Sequence, residues 1–410
     1  MPYPAGSDAT VSGAPVRNAS WPEARRLAYA AAAPSTPFRV QLDEALRSVL
    51  AEPVMTLTDL PAFDTVSMDG WAVAGPGPWQ VTQQVLAGQQ PSPLPPGEAA
   101  EVATGSQFPP GADAVLRRED GKRSGSTLRC LLAGGIVSHH RDIRLQGEEA
   151  KSGEVVLGSG FLVTPPVLGL AAAAGHDELL VRLGPMVDVL VMGDELLHEG
   201  PSGGGRLRDS ISPQVSGWLA SVGARVGSVQ RVADDQDAAI AALLSSTAEV
   251  VITTGGTAHG PVDQLHPALS ALKAELIVDQ VAVRPGHPML LARLEDGRPL
   301  LGLPGNPLAA AVGFVSLGWP LIEAICGLPM TIPTRAALVG TITAPGNSHR
   351  LMPVRTTAQG DQSAPRVQPL LHHGPAMLSG LAAADALAIA PPGGTGSGEL
   401  VDVLRLPWVR

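Results

Sequence analysis

The clearest pattern of apolar and polar positions lies in the second half of the chain. Residues 187–192 read VDVLVM, an almost unbroken apolar run, as a strand covered on both faces requires. Residues 211–222 follow a helical pattern that stops at Gly223. Residues 224–230 read as a strand, and Asp234 or Asp235 caps a helix ending near Ser246. Residues 249–253 form another buried strand that runs into Thr-Thr-Gly-Gly-Thr. A helix over 264–273 and a strand over 276–283 follow. Residues 289–294 and 299–303 flank a Glu-Asp-Gly turn and read as a hairpin. Gly-Leu-Pro-Gly-Asn-Pro then opens a helix from Leu308. Strands alternating with helices of this length predict an α/β domain with a mostly parallel sheet over residues 186–331.

Elsewhere the pattern is shorter. Residues 21–33 predict a helix, with Pro22 in its first turn and Glu23 near its positive end. A second helix is expected over 42–51. Residues 53–140 alternate β-prone pieces with Pro/Gly turns, which predicts a small β-rich domain. Residues 332–410 return to short strands, with one helix near 376–384, and predict a second β-rich domain. Residues 21–52 and 141–185 form a helical linking region. Residues 1–20, rich in Pro, Gly, Ser and Ala, are expected to be disordered.

Composition narrows the function. The net charge is −10 and only 16% of residues are charged, so the basic face of a nucleic-acid binder is not expected, nor an anionic membrane as partner. The apolar runs 161–175 and 313–328 are short for a bilayer and contain Pro. The N-terminus lacks the order of a signal peptide. A soluble, cytoplasmic protein is the expectation. Cys130 and Cys326 form no CxxC pair, against a disulfide scaffold or cysteine-rich zinc site. Only Lys122, Lys151 and Lys273 represent lysine, so cationic work falls to arginine.

Three loops are expected at strand ends, where open α/β sheets bind ligands: Gly193-Asp194-Glu195, Thr253-Thr254-Gly255-Gly256-Thr257, and Gly302-Leu303-Pro304-Gly305-Asn306-Pro307. Glycine admits an anion close to backbone N–H groups, and a helix N-terminus adds favourable dipole charge. Together they predict a pocket for a phosphorylated ligand. Glu195, Asp234 and Asp263 gather at the same end. Carboxylates beside a phosphate call for a divalent cation, and Mg²⁺ suits oxygen ligands. Each has a plainer alternative: a helix cap for Asp234, a loop or cap carboxylate for Asp263, a solvated loop residue for Glu195. Arg284-Pro285-Gly286-His287-Pro288 places positive groups on a rigid turn suited to an oxyanion. In the small β-rich domain, Ser67-Met68-Asp69-Gly70-Trp71 and Ala103-Thr104-Gly105 read alone as ordinary turns. None of the ten histidines forms HxH or HExxH; His139-His140 and His372-His373 read as surface residues, and residues 392–398 as a hairpin loop.

The ordered set PAFDTVSMDGWAV, VATGSQFPPGADAV, DIRLQGEE, MGDEL, TTGGTAHGPVD, RPGHP and GLPGNP resembles the molybdopterin molybdenumtransferases, the MoeA proteins and the C-terminal region of gephyrin, over residues 22–410. The resemblance implies an elongated, four-part molecule that dimerises through the linking region and whose α/β domain binds molybdopterin. It implies Mg²⁺-dependent insertion of molybdate into adenylated molybdopterin with release of AMP. It places catalytic positions at Asp69, Thr104, Glu195, Asp234 and Asp263, with Glu195 and Asp263 as metal ligands. Its cofactor-binding positions are Asp209, Thr254, Gly255, Gly256, Arg284, Pro285, Gly286, His287, Pro304, Gly305, Asn306 and Pro307. Because the family's site forms across a homodimer, Asp69 and Thr104 are expected to reach the partner's α/β domain. An upstream adenylyltransferase and acceptor molybdoenzymes are the implied protein partners. The chain departs from the family where Arg284 and His287 replace lysines, where Gln264-Leu265-His266 replaces an aromatic-Thr-Lys, where Met192 replaces a small hydroxyl residue, and at Ser212 in place of asparagine. A carrier or scaffold that binds molybdopterin without turnover is the alternative; a nucleotide hydrolase or phosphotransferase lacks a supporting Walker sequence.

Overall fold

The computed structural model describes residues 15–257, 263–357 and 365–409. The chain forms two compact units: Met1–Phe38 with Arg47–Val49 and Arg182–Arg410, and Arg39–Leu46 with Leu50–Val181.

The larger unit is built on one sheet. In chain order its strands are β1 (Val16–Ser20), β2 (Met186–Met192), β3 (Arg225–Val232), β4 (Val250–Thr254), β5 (Glu275–Arg284), β6 (Leu290–Arg293) and β7 (Pro299–Leu303). They lie in the order β3-β2-β4-β7-β6-β5, with β1 beside β5. β3, β2, β4 and β7 are mutually parallel, and β6 runs against both β7 and β5. The mostly parallel sheet and the hairpin are therefore as the sequence predicts. Burial explains the apolar run in β2. Val187, Val189 and Val191 face a core shared with Val215, Trp218 and Phe314. Leu190 and Met192 face the other side, against Ala239, Leu243 and Leu265. Asp188 interrupts the run but accepts bonds from the Ser228 amide (2.7 Å) and the Ser246 hydroxyl (2.6 Å), so its burial is compensated.

Helices α1 (Trp21–Ala30), α2 (Ser212–Ser221), α3 (Gln236–Ser245) and α4 (Leu265–Ala271) sit at the expected positions. A continuous helical run, α5 (Pro307–Cys326), is 20 residues long, and an 18-residue stretch of it has a mean hydropathy of 1.7 and is wholly buried. It is longer than the sequence pattern suggested, and its apolar character serves the protein core. α1 packs on it: Trp21 Nε1 donates to Ser316 Oγ at 2.9 Å, and Arg25 donates to the carbonyls of Val315 and Thr331. The sheet continues from β5 into the C-terminal strands through Val283 opposite His349 and Arg284 opposite Arg350. The loop over 392–398 joins the antiparallel strands Ala386–Ala390 and Leu400–Arg405, a hairpin as expected.

Three expectations fail. The linking region over 21–52 and 141–185 is not mainly helical: beyond α1 it holds one helix, Pro165–Ala173, among short strands such as Phe38–Gln41, Val155–Leu157 and Glu178–Arg182. Disorder was expected through residue 20, but Val16–Ser20 is a strand, because pairing with β5 satisfies its backbone. Residues 42–51 form turns ending in the short strand Val49–Leu50. Arg47 takes a left-handed φ of 69°, which no α-helix continues through.

The smaller unit carries a six-stranded sheet in which Gly70–Val73, next to the edge, pairs with Glu98–Val102 and Ala114–Arg117. A Cβ on Gly70 would lie 2.1 Å from the Leu116 carbonyl oxygen, so only glycine fits this approach. Arg117 grips Asp142 with two bonds of 2.8 Å, and this fork holds the Asp142 carboxyl below the usual carboxylate range. A depressed folded-state pKa stabilises above the unfolded value of about 3.9 and is lost as pH falls through the folded value. Asp142→Asn should therefore flatten the loss of stability between about pH 5 and pH 2 in acid-titrated urea melts.

Candidate functional site

Because β2, β4 and β7 are neighbours and parallel, their carboxyl ends share one edge of the sheet. The loops after them line a cavity of about 660 Å³. Glu195 comes from the loop after β2, Thr254, Gly255 and Gly256 from the end of β4, and Pro304, Gly305, Asn306 and Pro307 from the segment between β7 and α5. Gly255 has a φ of 87°, and a Cβ there would come within 2.9 Å of the Met192 carbonyl oxygen. Its amide donates to the Leu303 carbonyl at 2.9 Å, fastening the β4 loop to the β7 loop. Glycine at this position thus lets the β4 loop pack closely on the backbone of its neighbours, and the Gly255 amide is satisfied within the fold.

The carboxylates of this cavity have separate duties. Asp235, not Asp234, caps α3, its Oδ1 accepting from the Ala238 amide at 2.9 Å. That leaves Asp234 on the cavity wall, where Oδ2 accepts from the Asp194 amide at 3.2 Å and steadies the Gly193-Asp194-Glu195 loop. The Glu195 side chain has no hydrogen-bond or ion-pair partner among the described residues. Asp209 also lines the cavity, but its Oδ1 accepts from the amides of Ile211 (3.0 Å) and Ser212 (3.1 Å), so it holds the turn that leads into α2. Arg208, unremarked in the sequence, joins the wall beside it.

Asp263 is not part of that wall. Its Oδ1 accepts from the His266 amide at 3.2 Å, and its Oδ2 lies 2.7 Å from His266 Nδ1. His266 Nε2 is 3.3 Å from the buried Asp279, which Arg17 pairs at 3.5 Å. The structure therefore does not bring the expected pair Glu195 and Asp263 together along the cavity wall. Among the described residues no three His, Cys, Asp or Glu side chains converge as a metal cluster. Residues 258–262, within the TTGGTAHGPVD motif, lie outside the described residues.

A second cavity of about 300 Å³ adjoins the first, and both share Pro288, Pro304 and Asn306. Arg284, Pro285, Gly286 and His287 line it, together with Arg350 and His373. Among the described residues no carboxylate lines it. Arg284 and Arg350 are cross-strand neighbours, and both line this cavity. Burial pushes the Arg350 guanidinium below its ordinary range, and its buried Nε has no partner among the described residues. Such an uncompensated cationic recess fits an oxyanion. Arg350 and His373 escaped the sequence reading because only strand pairing brings them to the RPGHP turn. His373, expected at the surface, is half-buried in this wall.

One expected contribution is modified. The Leu308 and Ala309 amides at the start of α5 both donate to the Pro375 carbonyl, at 3.0 and 3.3 Å. These first-turn donors are thus satisfied within the fold rather than offered to an anion.

In the smaller unit, Asp69 and Thr104 are brought together. Gly70 lies opposite Val102, so the residues just beyond each strand end meet. Asp69 Oδ1 accepts from the Thr104 amide (2.7 Å) and hydroxyl (2.8 Å), and these two bonds hold its carboxyl below the ordinary range.

Three family models match the chain: the MoeA N-terminal region (domain I and II) over residues 19–175, a probable molybdopterin binding domain over 188–324, and the MoeA C-terminal region (domain IV) over 335–406. A molybdopterin molybdenumtransferase of Staphylococcus aureus (strain Mu50) is 30% identical over 383 residues, covering 89% of this chain and 90% of the relative. One from Staphylococcus epidermidis (strain ATCC 12228) is 29% identical over the same length, with the same coverage of 89% and 90%. The molybdopterin biosynthesis moeA protein from Pyrococcus horikoshii OT3 shares the fold with a TM-score of 0.74 at 24% identity, over 94% of this chain and 99% of that one.

The division of labour between neighbouring aspartates is testable. Asp235→Ala should lower the stability of the larger unit by about 1 kcal/mol, through loss of the α3 cap, in urea unfolding. Asp234→Ala should impair AMP binding by calorimetry, and Asp235→Ala should not; equal effects of both on binding would contradict the assignment.

Proposed function

This chain belongs to the MoeA family of molybdopterin molybdenumtransferases, and on that premise we propose how its own residues act in molybdenum cofactor biosynthesis, inserting molybdate into adenylated molybdopterin with release of AMP. The observation that supports this reading is the adjacency of two unlike cavities: one walled by Glu195, Asp234 and the glycine loops, the other by Arg284, Arg350, His287 and His373.

The larger cavity holds the adenylated pterin, with its phosphates against the Thr254-Gly255-Gly256 and Pro304-Gly305-Asn306-Pro307 loops. The smaller recess holds molybdate, whose two negative charges the paired arginines offset. The hard oxygen donors of the carboxylate wall fit Mg²⁺, which commonly takes one or two carboxylates plus substrate phosphates and so needs no three-ligand protein cluster. Glu195 offers an unpartnered carboxylate. Asp263 is engaged by His266, so the second protein oxygen is assigned to Asp234. When bound, the cation offsets charge on the phosphoanhydride oxygens.

The protein acts as a cytoplasmic homodimer, with the Asp69–Thr104 pair of one protomer directed at the partner's α/β unit. Exposed apolar side chains in the smaller unit, Leu57, Phe161 and Leu162, support a subunit surface there. The free thiols of Cys130 and Cys326 agree with a reducing compartment. The upstream adenylyltransferase supplies the substrate, and acceptor molybdoenzymes receive the product.

Purified protein given adenylated molybdopterin, molybdate and Mg²⁺ should release AMP, lose that activity with EDTA and regain it with Mg²⁺. Glu195→Gln should reduce kcat by about 10²-fold. Arg350→Met should raise KM for molybdate about tenfold, the equivalent of one lost charge-assisted bond. Tight pterin binding with no AMP release under any divalent ion would overturn the catalytic reading.

A further inference from the structure

The N-terminal strand meets the cationic recess at Asn18. Asn18 Oδ1 lies 3.1 Å from His287 Nε2, and His287 is part of the recess wall. The backbone around Asn18 is unusual. β1 pairs with β5 in a register that runs from Arg17 opposite Asp279 to Ala19 opposite Val281. Asn18 and Gln280, the two residues between, have φ values of 53° and 69°. Left-handed backbone is uncommon outside glycine, and asparagine tolerates it better than most residues. Such an outlier persists where the surroundings impose it and is a pointer to function. Here the kink turns the Asn18 amide toward the imidazole.

We propose that Asn18 is a positioning residue for the oxyanion recess: it fixes the orientation of the His287 ring, and so sets the affinity of the recess for molybdate. The physical need is specific to histidine. An imidazole is planar and presents its two nitrogens along fixed directions: with the Nε2 proton donated to Asn18 Oδ1, the donor left for an oxyanion is the Nδ1–H of the imidazolium form, and a ring that turns misplaces it. A lysine ammonium has three equivalent donors on a flexible stem and needs no such partner. Arg17, the preceding residue on the strand, pairs with Asp279 at 3.5 Å, and the backbone pairing of β1 with β5 sets the register that presents Asn18.

The inference rests on the reading of the recess as an oxyanion site, and the test separates the two. Asn18→Gly keeps the positive φ accessible and deletes only the side chain. The replacement is made in the native chain and in His287→Lys, with molybdate alone titrated by calorimetry and AMP release followed in parallel. In the native background Asn18→Gly should weaken molybdate binding, and raise KM for molybdate, about fivefold with kcat unchanged, the scale of one hydrogen bond. In the His287→Lys background the same change should alter neither by more than about twofold, as expected for uncoupled sites. No effect in the native background, or equal losses in both, overturns the proposal. If the unaltered protein neither binds molybdate nor releases AMP, the oxyanion reading itself fails. The pairing is then judged from the ¹⁵N shifts of the His287 ring, which Asn18→Gly must move if Asn18 orients it and must leave unchanged if it does not.

Discussion

Everything in the larger unit follows from strands buried on both faces. β2, β4 and β7 place alternate side chains into two separate apolar cores. A one-residue slip would exchange the two sets, so the register is tightly specified. Parallel direction then sends all three carboxyl ends to one edge, and the loops that leave them converge. The Gly255–Leu303 hydrogen bond between two of these loops extends the sheet's order into the cavity wall. The cavity is in this sense a by-product of burial.

A second constraint is the separation of charge. Glu195, Asp209 and Asp234 line one cavity, with Arg208 among them, and Arg284 and Arg350 line the next, where no carboxylate is found; among the described residues Pro288, Pro304 and Asn306 are common to both walls. Opposite charges in direct contact would neutralise each other and leave little attraction for a ligand. Apolar prolines between them keep both sets available for a substrate that carries phosphate, a cation and an oxyanion at once. Meanwhile Asp235 caps α3 and Asp209 holds the turn before α2, and capping by Asp235 leaves Asp234 to the cavity.

The α/β fold was legible because periodicity is local: the run over 187–192, the hairpin turn and the helix stops each declare themselves within a dozen residues. The expected helix over 42–51 failed because the left-handed turn at Arg47 carries no glycine or asparagine to announce it. The expected disorder of residues 16–20 failed because β1 draws its backbone partners from β5, far away in the sequence. Composition cannot report a partner of that kind.

The sequence by itself determined which loops leave the strand ends and which carboxylates and cations they carry, since strand burial and turn chemistry are written in neighbouring residues. Tertiary structure alone decided which of those groups share a wall. It set Arg350 beside Arg284 through cross-strand pairing, drew His373 into the recess, gave Asp263 to His266, and brought Asn18 to His287. The physical reason is that hydrogen bonds and charge pairs act over a few ångströms of space, whereas a sequence records only separation along the chain.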